Sequence, residues 1–222
     1  MFARLCLAAA LVTTVFAAAA PSARAQVAED RPAAGLGQPV IDASLPRVAL
    51  RTNQGDIVLQ LRSDRAPATV ENFLQYVRDG HYNGTILHRG VPDALLQGGK
   101  ATPDLQAKPV RAPVVHEARD GLSNLRGTVA LARRARVADS GTSEFFINVV
   151  DNPRFDWTAD APAERAGYTV FAEVIEGMDV VDRWRALPTS ELSPQLREVP
   201  TPMVVIERAE ILAPGTPAAP AR

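Results

Sequence analysis

The sequence predicts a mainly β protein: a closed antiparallel barrel accompanied by two helices. Three observations lead there. Seven short runs rich in β-branched and aromatic residues alternate with turn residues along the chain. Only two segments carry the apolar repeat of an amphipathic helix. The stretch holding all of these is about one domain long and shows no internal repeat. A short-stranded sheet of that size avoids exposed edges most simply by closing on itself.

The elements follow in order. Val48–Thr52 and Ile57–Leu61 are joined by Asn53-Gln54-Gly55, a hairpin signal. A helix begins near Pro67 and repeats apolar residues at Val70, Phe73, Leu74 and Val77, with Gly80 as its C-terminal cap. Further strands are expected at Thr85–Arg89, Val129–Ala132, Phe145–Val150, Tyr168–Val174 and Val204–Leu212. A second helix, Asp179–Ala186, places Val180, Val181, Trp184 and Leu187 on one side and stops before Pro188. Asn83-Gly84-Thr85 matches a glycosylation sequon.

The ends read differently. Met1–Ala25 has a positive start at Arg4, an apolar run from Leu5 to Ala20, and the small-x-small pattern Ala23-Arg24-Ala25. This is the pattern of a cleaved secretory signal, with Gln26 as the expected mature N-terminus. The run is short for a membrane span, which needs about 20 apolar residues. Cys6 has no apolar segment before it and does not fit a lipoprotein attachment site. Residues 26–46 read as a flexible lead-in, residues 47–213 as the domain, and residues 214–222, PGTPAAPAR, as a disordered tail. The expected location is periplasmic or secreted, with no stable membrane insertion after cleavage.

Composition excludes several classes. Lys and Arg number 24 against 25 acids, and 46% of residues are hydrophobic. That balance fits neither a polycationic nucleic-acid binder nor an acidic disordered chain. Loss of the signal removes Arg4 and Arg24 and no acid, taking the formal charge from −1 to −3. The mature chain would have no cysteine, hence no disulfide and no thiol chemistry. His81, His88 and His116 are the three histidines, at spacings that match no metal motif. No nucleophile elbow and no phosphate-cradling glycine loop is present. Any chemistry is therefore expected to proceed without nucleophile, metal or cofactor.

Two stretches carry the most information: YNGTILHRGVPDALLQGG (82–99) and GTVALARRARVADSGTSEFFINV (127–149). The first sets Arg89 at the end of a strand, with Gln97 following the Pro92-Asp93 turn. The second sets Phe145 and Phe146 side by side in a strand, so one ring faces inward and the other outward. An arginine and a glutamine beside an aromatic wall suit a neutral, apolar, planar ligand. Taken singly, Arg89 also fits a surface ion pair and the two phenylalanines fit plain core.

Five ordered blocks then give a resemblance. APATVENFLQYVRDGHYNG (66–84), the HR and QGG of residues 88–99, NLRGTVALAR (124–133), SEFFINVVDNP (143–153) and YTVFAEVIEGMDVVD (168–182) together resemble the cyclophilins, over about residues 47–213. The resemblance implies an eight-stranded antiparallel barrel capped by two helices, and isomerisation of peptidyl-prolyl bonds. It implies Arg89 as the catalytic residue and Gln97 as the group orienting the peptide backbone. Leu95, Phe146 and Phe155 would line the proline pocket, and Ala132 and Arg133 would contact the residues before proline. Glu144 and Tyr168 fall at further substrate-binding positions. The expected partners are proline-containing peptides and unfolded exported proteins, not nucleic acid, bound by a monomer. A binding chaperone on the same scaffold is the alternative reading.

The departures from the family pattern gather at that site. Leu87 stands where an aromatic is usual, Gly90 for an aliphatic residue, and Ala94 for the phenylalanine that packs on the substrate proline. Leu95 replaces a common methionine, Glu144 a glutamine, and Tyr168 a histidine, while Arg154-Phe155 replaces an aromatic-leucine pair. Losing the phenylalanine removes apolar contact of roughly 1.5–3 kcal/mol. Glu144 is a candidate partner for Arg89, Arg133, Arg134 or Arg154, competing for the guanidinium donors. Trp157 is a candidate replacement ring. The expectation is slower turnover or an altered peptide preference.

Overall fold

The computed structural model describes residues 41–159, 162 and 165–213. The signal reading, most of the lead-in, part of the 158–167 loop and the C-terminal tail lie outside the described residues. Ten strands and two α-helices run in the order β1 (Arg47–Thr52), β2 (Ile57–Leu61), α1 (Pro67–Arg78), β3 (Thr85–Val91), β4 (Leu95–Gly98), β5 (Thr128–Leu131), β6 (Phe145–Asn148), β7 (Val170–Glu176), α2 (Met178–Arg185), β8 (Thr189–Ser190), β9 (Val199–Pro200) and β10 (Val205–Leu212). Eight of the strands form a closed barrel in the order β1-β10-β3-β4-β6-β5-β7-β2, every pair antiparallel. The short β8 and β9 pair separately.

Closure gives every barrel strand a neighbour on both sides and leaves a continuous interior. Leu50, Leu59, Phe145, Ile147 and Phe171 point into it from four strands, each essentially without solvent exposure. Both helices feed the same cluster. Helix α1 contributes Val70, Phe73, Leu74 and Val77, the stripe expected from their spacing, and Phe73 lies 5.0 Å from both Tyr82 and Phe171 between ring centres. Helix α2 contributes Val180, Val181 and Trp184.

The start of α1 has no cap of its own at Ala66. Instead the Glu117 carboxylate accepts from the backbone N–H groups of Ala68 and Thr69, at 3.1 and 2.8 Å, and from the Thr69 hydroxyl at 2.7 Å. A distant acid thus supplies both the missing acceptors and the negative charge that a helix N-terminus favours. Gly80, at φ +66°, ends the helix in the left-handed conformation its lack of Cβ permits. The sequon is built into the fold: the Thr85 hydroxyl is fully buried on the Tyr82 carbonyl, and Asn83 accepts from the Ala209 N–H.

Candidate active site

One irregularity decides where Arg89 points. Leu87 faces the barrel interior, and strict alternation would send Arg89 inward too. The β3–β4 register shifts between them: Leu87 pairs with Gly98 and Arg89 with Gln97, so β3 carries one residue more than its partner. This β-bulge at His88 turns Arg89 to the outer surface, where it is exposed. From there one cross-strand row runs Arg89, Gln97, Phe146, Ala130, Val170 across five neighbouring strands. The phenylalanine pair divides as expected, Phe145 into the core and Phe146 onto this outer row.

Phe146 heads a second apolar cluster, with Ala94, Leu95, Ala130 and Val170 buried around it and Ala132, Phe155 and Tyr168 at its rim. Three rings meet edge to face, with centroids 5.7 Å apart for Phe146–Phe155, 5.2 Å for Phe146–Tyr168 and 5.3 Å for Phe155–Tyr168. Phe146 is only 2% exposed, whereas Phe155 and Tyr168 are half-buried and form the accessible surface. Ala94 brings no ring to this cluster, and the short turn Pro153–Phe155 adds one through Phe155. Trp157 does not take that part: it makes no ring contact with the cluster among the described residues.

Three buried asparagines hold this arrangement from beneath. The Asn152 amide donates to the Ala94 carbonyl and to Asn148 Oδ1, both at 2.9 Å, and Asn148 donates to Asn124 Oδ1 at 3.2 Å. Asn124 in turn donates to the Phe155 carbonyl at 3.1 Å. A single hydrogen-bonded chain thus ties the backbone at Ala94 to the backbone at Phe155.

The charged groups are arranged differently from the sequence expectation. Glu144 pairs with none of Arg89, Arg133, Arg134 or Arg154. Its carboxylate accepts from Gln97 Nε2 at 2.9 Å and faces Lys100 Nζ at 3.2 Å and His88 Nε2 at 3.4 Å. Burial raises its pKa, but the hydrogen bond and charge of His88 and the charge of Lys100 outweigh that and lower it to about 2. These partners lie nearer because Glu144, just before β6, sits beside β4 and the residues following it. Arg89 instead meets Glu198, which follows the 193–196 turn: Nε donates to Glu198 Oε2 at 2.7 Å, and the Gly90 N–H donates to the Glu198 carbonyl at 2.7 Å. Arg133 lies over the Tyr168 ring and Arg154 over the Phe155 ring, each 4.9 Å from the centroid. Arg133 Nε also donates to the Gly167 carbonyl at 2.7 Å.

Two open clefts flank the row. One, of about 550 Å³, lies between Arg89, His88 and Gln97 on one side and residues 193–198 on the other. The second, of about 510 Å³, runs from Gln97 past Ala132 and Arg133. All nine residues singled out in the sequence thus fall around one surface region: Arg89, Gln97 and Glu144 at the clefts, Leu95, Phe146, Phe155, Tyr168 and Ala132 in the apolar cluster, and Arg133 at its edge. Sequence reasoning missed Glu198, Lys100 and the asparagine chain. Among the described residues no group of three or more histidines, cysteines or acids is placed to hold a metal, and no helix is long and apolar enough to cross a membrane.

Comparison with known proteins agrees with this geometry. Residues 47–211 match the family described as cyclophilin type peptidyl-prolyl cis-trans isomerase/CLD. A peptidyl-prolyl cis-trans isomerase of Streptomyces antibioticus is 49% identical over 165 residues, which cover 74% of this chain and 98% of the relative. Peptidyl-prolyl cis-trans isomerase B of Escherichia coli is 43% identical over 164 residues, with the same coverage. The solved structure of a cyclophilin type isomerase of Cryptosporidium parvum shares the fold with a TM-score of 0.59 at 20% identity, covering 78% of this chain and 99% of that one. With its eight-stranded barrel, its two helices and relatives of this similarity along nearly their whole length, the chain belongs to the cyclophilin family of peptidyl-prolyl cis-trans isomerases.

Proposed function

We propose that the protein isomerises X-Pro bonds in exported polypeptides, with Arg89 as the catalytic residue and the Phe146–Phe155–Tyr168 cluster as the seat of the proline ring. The observation that carries this is the register: Arg89, Gln97 and Phe146 stand in one cross-strand row, so a peptide whose proline rests on the aromatic edges brings its amide toward the guanidinium. Rotation about that amide breaks C–N conjugation over a barrier of about 18–20 kcal/mol, with no covalent bond made or lost. The prolyl nitrogen becomes pyramidal and its lone pair available only near the twisted state. A guanidinium N–H donated to that nitrogen therefore stabilises the transition state more than either planar isomer. With Nε committed to Glu198, the terminal Nη1 and Nη2 are the donors that remain to reach the substrate. Gln97 gives its N–H to Glu144, which leaves Oε1 to accept a peptide N–H. Nothing else is required of the site for this rotation.

The signal pattern of residues 1–25 supports action on proteins crossing or beyond the inner membrane, where slow proline isomerisation limits folding. The chaperone reading draws on Ala94 and on the Arg89–Glu198 pair, but Phe155 brings a ring to the cluster where Ala94 brings none. Exchange NMR on X-Pro peptides separates the two readings. Wild type should accelerate isomerisation, and Arg89→Ala should lose about 100-fold in kcat/KM, as for removal of a transition-state donor. If neither protein accelerates isomerisation while wild type still binds the peptide, the binding reading holds instead.

A further inference from the structure

Resting on the isomerase reading, we propose that the cleft beyond Gln97 and Ala132 selects substrates with an acidic side chain among the three residues that precede the proline. The cleft starts at Gln97, Ala132 and Arg133, the positions along which the upstream part of a bound peptide is expected to run, and continues outward as about 510 Å³ of open space. At about 3.3 Å per residue, three extended residues span about 10 Å.

Its walls are cationic. Lys100, Lys108, Arg111, Arg133 and Arg134 line it against a single carboxylate, Glu144. Lys100 pairs with Glu144 and Arg111 with Asp79. Lys108 is held by the carbonyls of His81 and Asn83, at 2.7 and 2.6 Å, which fix its ammonium without cancelling its charge. Arg134 makes no ion pair among the described residues, and its side chain is exposed. Glu144 brings no compensating attraction for a basic substrate, because Lys100, His88 and Gln97 already surround it. The cleft also carries apolar surface at Ala132, Pro113 and Val110, the last 53% exposed. A short aliphatic stem ending in a carboxylate matches that combination, whereas a lysine would meet like charges.

The test uses matched peptides with a fixed X-Pro core and Glu, Gln or Lys at each of the three upstream positions. Exchange NMR gives kcat/KM without a coupling protease, whose own preferences would intrude. At low salt, Glu should exceed Lys by about 3- to 10-fold at one of the positions, the sum of a few exposed charge interactions. The ratio should shrink toward one in 0.5 M salt, where the Debye length falls to a few ångströms. Arg134→Glu should erase or invert it, with a melting curve to show the variant folded. Arg136→Glu, an exposed cation on the same loop outside the cleft, should leave it in place. Equal kcat/KM for Glu, Gln and Lys peptides at all positions would overturn the inference and leave the isomerase reading standing. If no peptide is turned over, the isomerase reading fails separately, and calorimetric affinities of the same set still decide the charge preference.

Discussion

At the residue scale, the contact that most alters the site is Glu198 on Arg89, two side chains 109 positions apart in sequence. Both are nearly half exposed, so the pair contributes at most about 1 kcal/mol, yet it places a counter-charge on the guanidinium that the proposed mechanism directs at a neutral nitrogen. Glu198→Gln keeps an oxygen acceptor for Nε and removes the charge. On an uncharged peptide, kcat/KM should rise about two- to five-fold, and wild type should approach the variant in 0.5 M salt. A fall instead would show that the carboxylate positions Arg89 rather than competing for it. The shared cluster of Ala94 and Phe155 has its own test. Phe155→Leu and Ala94→Phe should each destabilise the protein, the first through lost packing and the second through overfilling, each by about 1–3 kcal/mol. The double variant should cost less than the sum, because both positions pack in one cluster and the added ring compensates for the one removed. Strict additivity in denaturant titrations would separate the two positions.

At the element scale, the barrel and both helices were legible because periodicity encodes them directly: the 70, 73, 74, 77 stripe of α1 and the Phe145/Phe146 alternation each map onto one buried face. The eighth barrel strand, Leu95–Gly98, was not, since four residues ending in glycine carry almost no period. Nor was the bulge at His88, for alternation from Leu87 argues for the wrong face, and only the pairing with β4 reveals the extra residue. Local pattern singled out Arg89, Gln97 and the Phe145/Phe146 pair, and family resemblance proposed the other candidate site residues. Their partners were not legible, because Glu198, Lys100 and the asparagine chain meet through folding across strands. The asparagine chain is the element that fixes the pocket's shape. Asn152→Ala would leave Asn148 Oδ1 short of a donor and free the Pro153–Phe155 turn from Ala94. A stability loss of about 1–3 kcal/mol is expected. KM for a proline peptide should rise more than kcat falls, since the guanidinium row on β3 and β4 is untouched. An unchanged KM would mean that the turn holds its position without the chain.

At the scale of the whole molecule, the buried titratable groups set how the fold responds to acid. Burial lowers the pKa of His81 and of His116 below 6.5, although the carbonyls of Gly99 and Gly167 accept from their ring N–H groups and oppose the shift. A histidine depressed in this way binds fewer protons folded than unfolded. Its contribution is complete above about pH 6.5 and declines as pH falls through the folded value. Glu144 acts later. Its carboxylate is depressed from 4.5 to about 2, so its contribution is complete above about pH 4.5 and is lost between there and pH 2. That interval corresponds to a stabilisation of about 3 kcal/mol for a group three-quarters shielded from solvent. Stability measured by urea unfolding should therefore decline in two stages, beginning below pH 6.5 and resuming below pH 4.5. Glu144→Gln removes the titrating carboxylate while keeping an acceptor toward Lys100 and Gln97. It should lower stability at pH 7 and flatten the second stage while leaving the first unchanged. A second stage of full size in that variant would assign the acid transition to other carboxylates and detach it from the site.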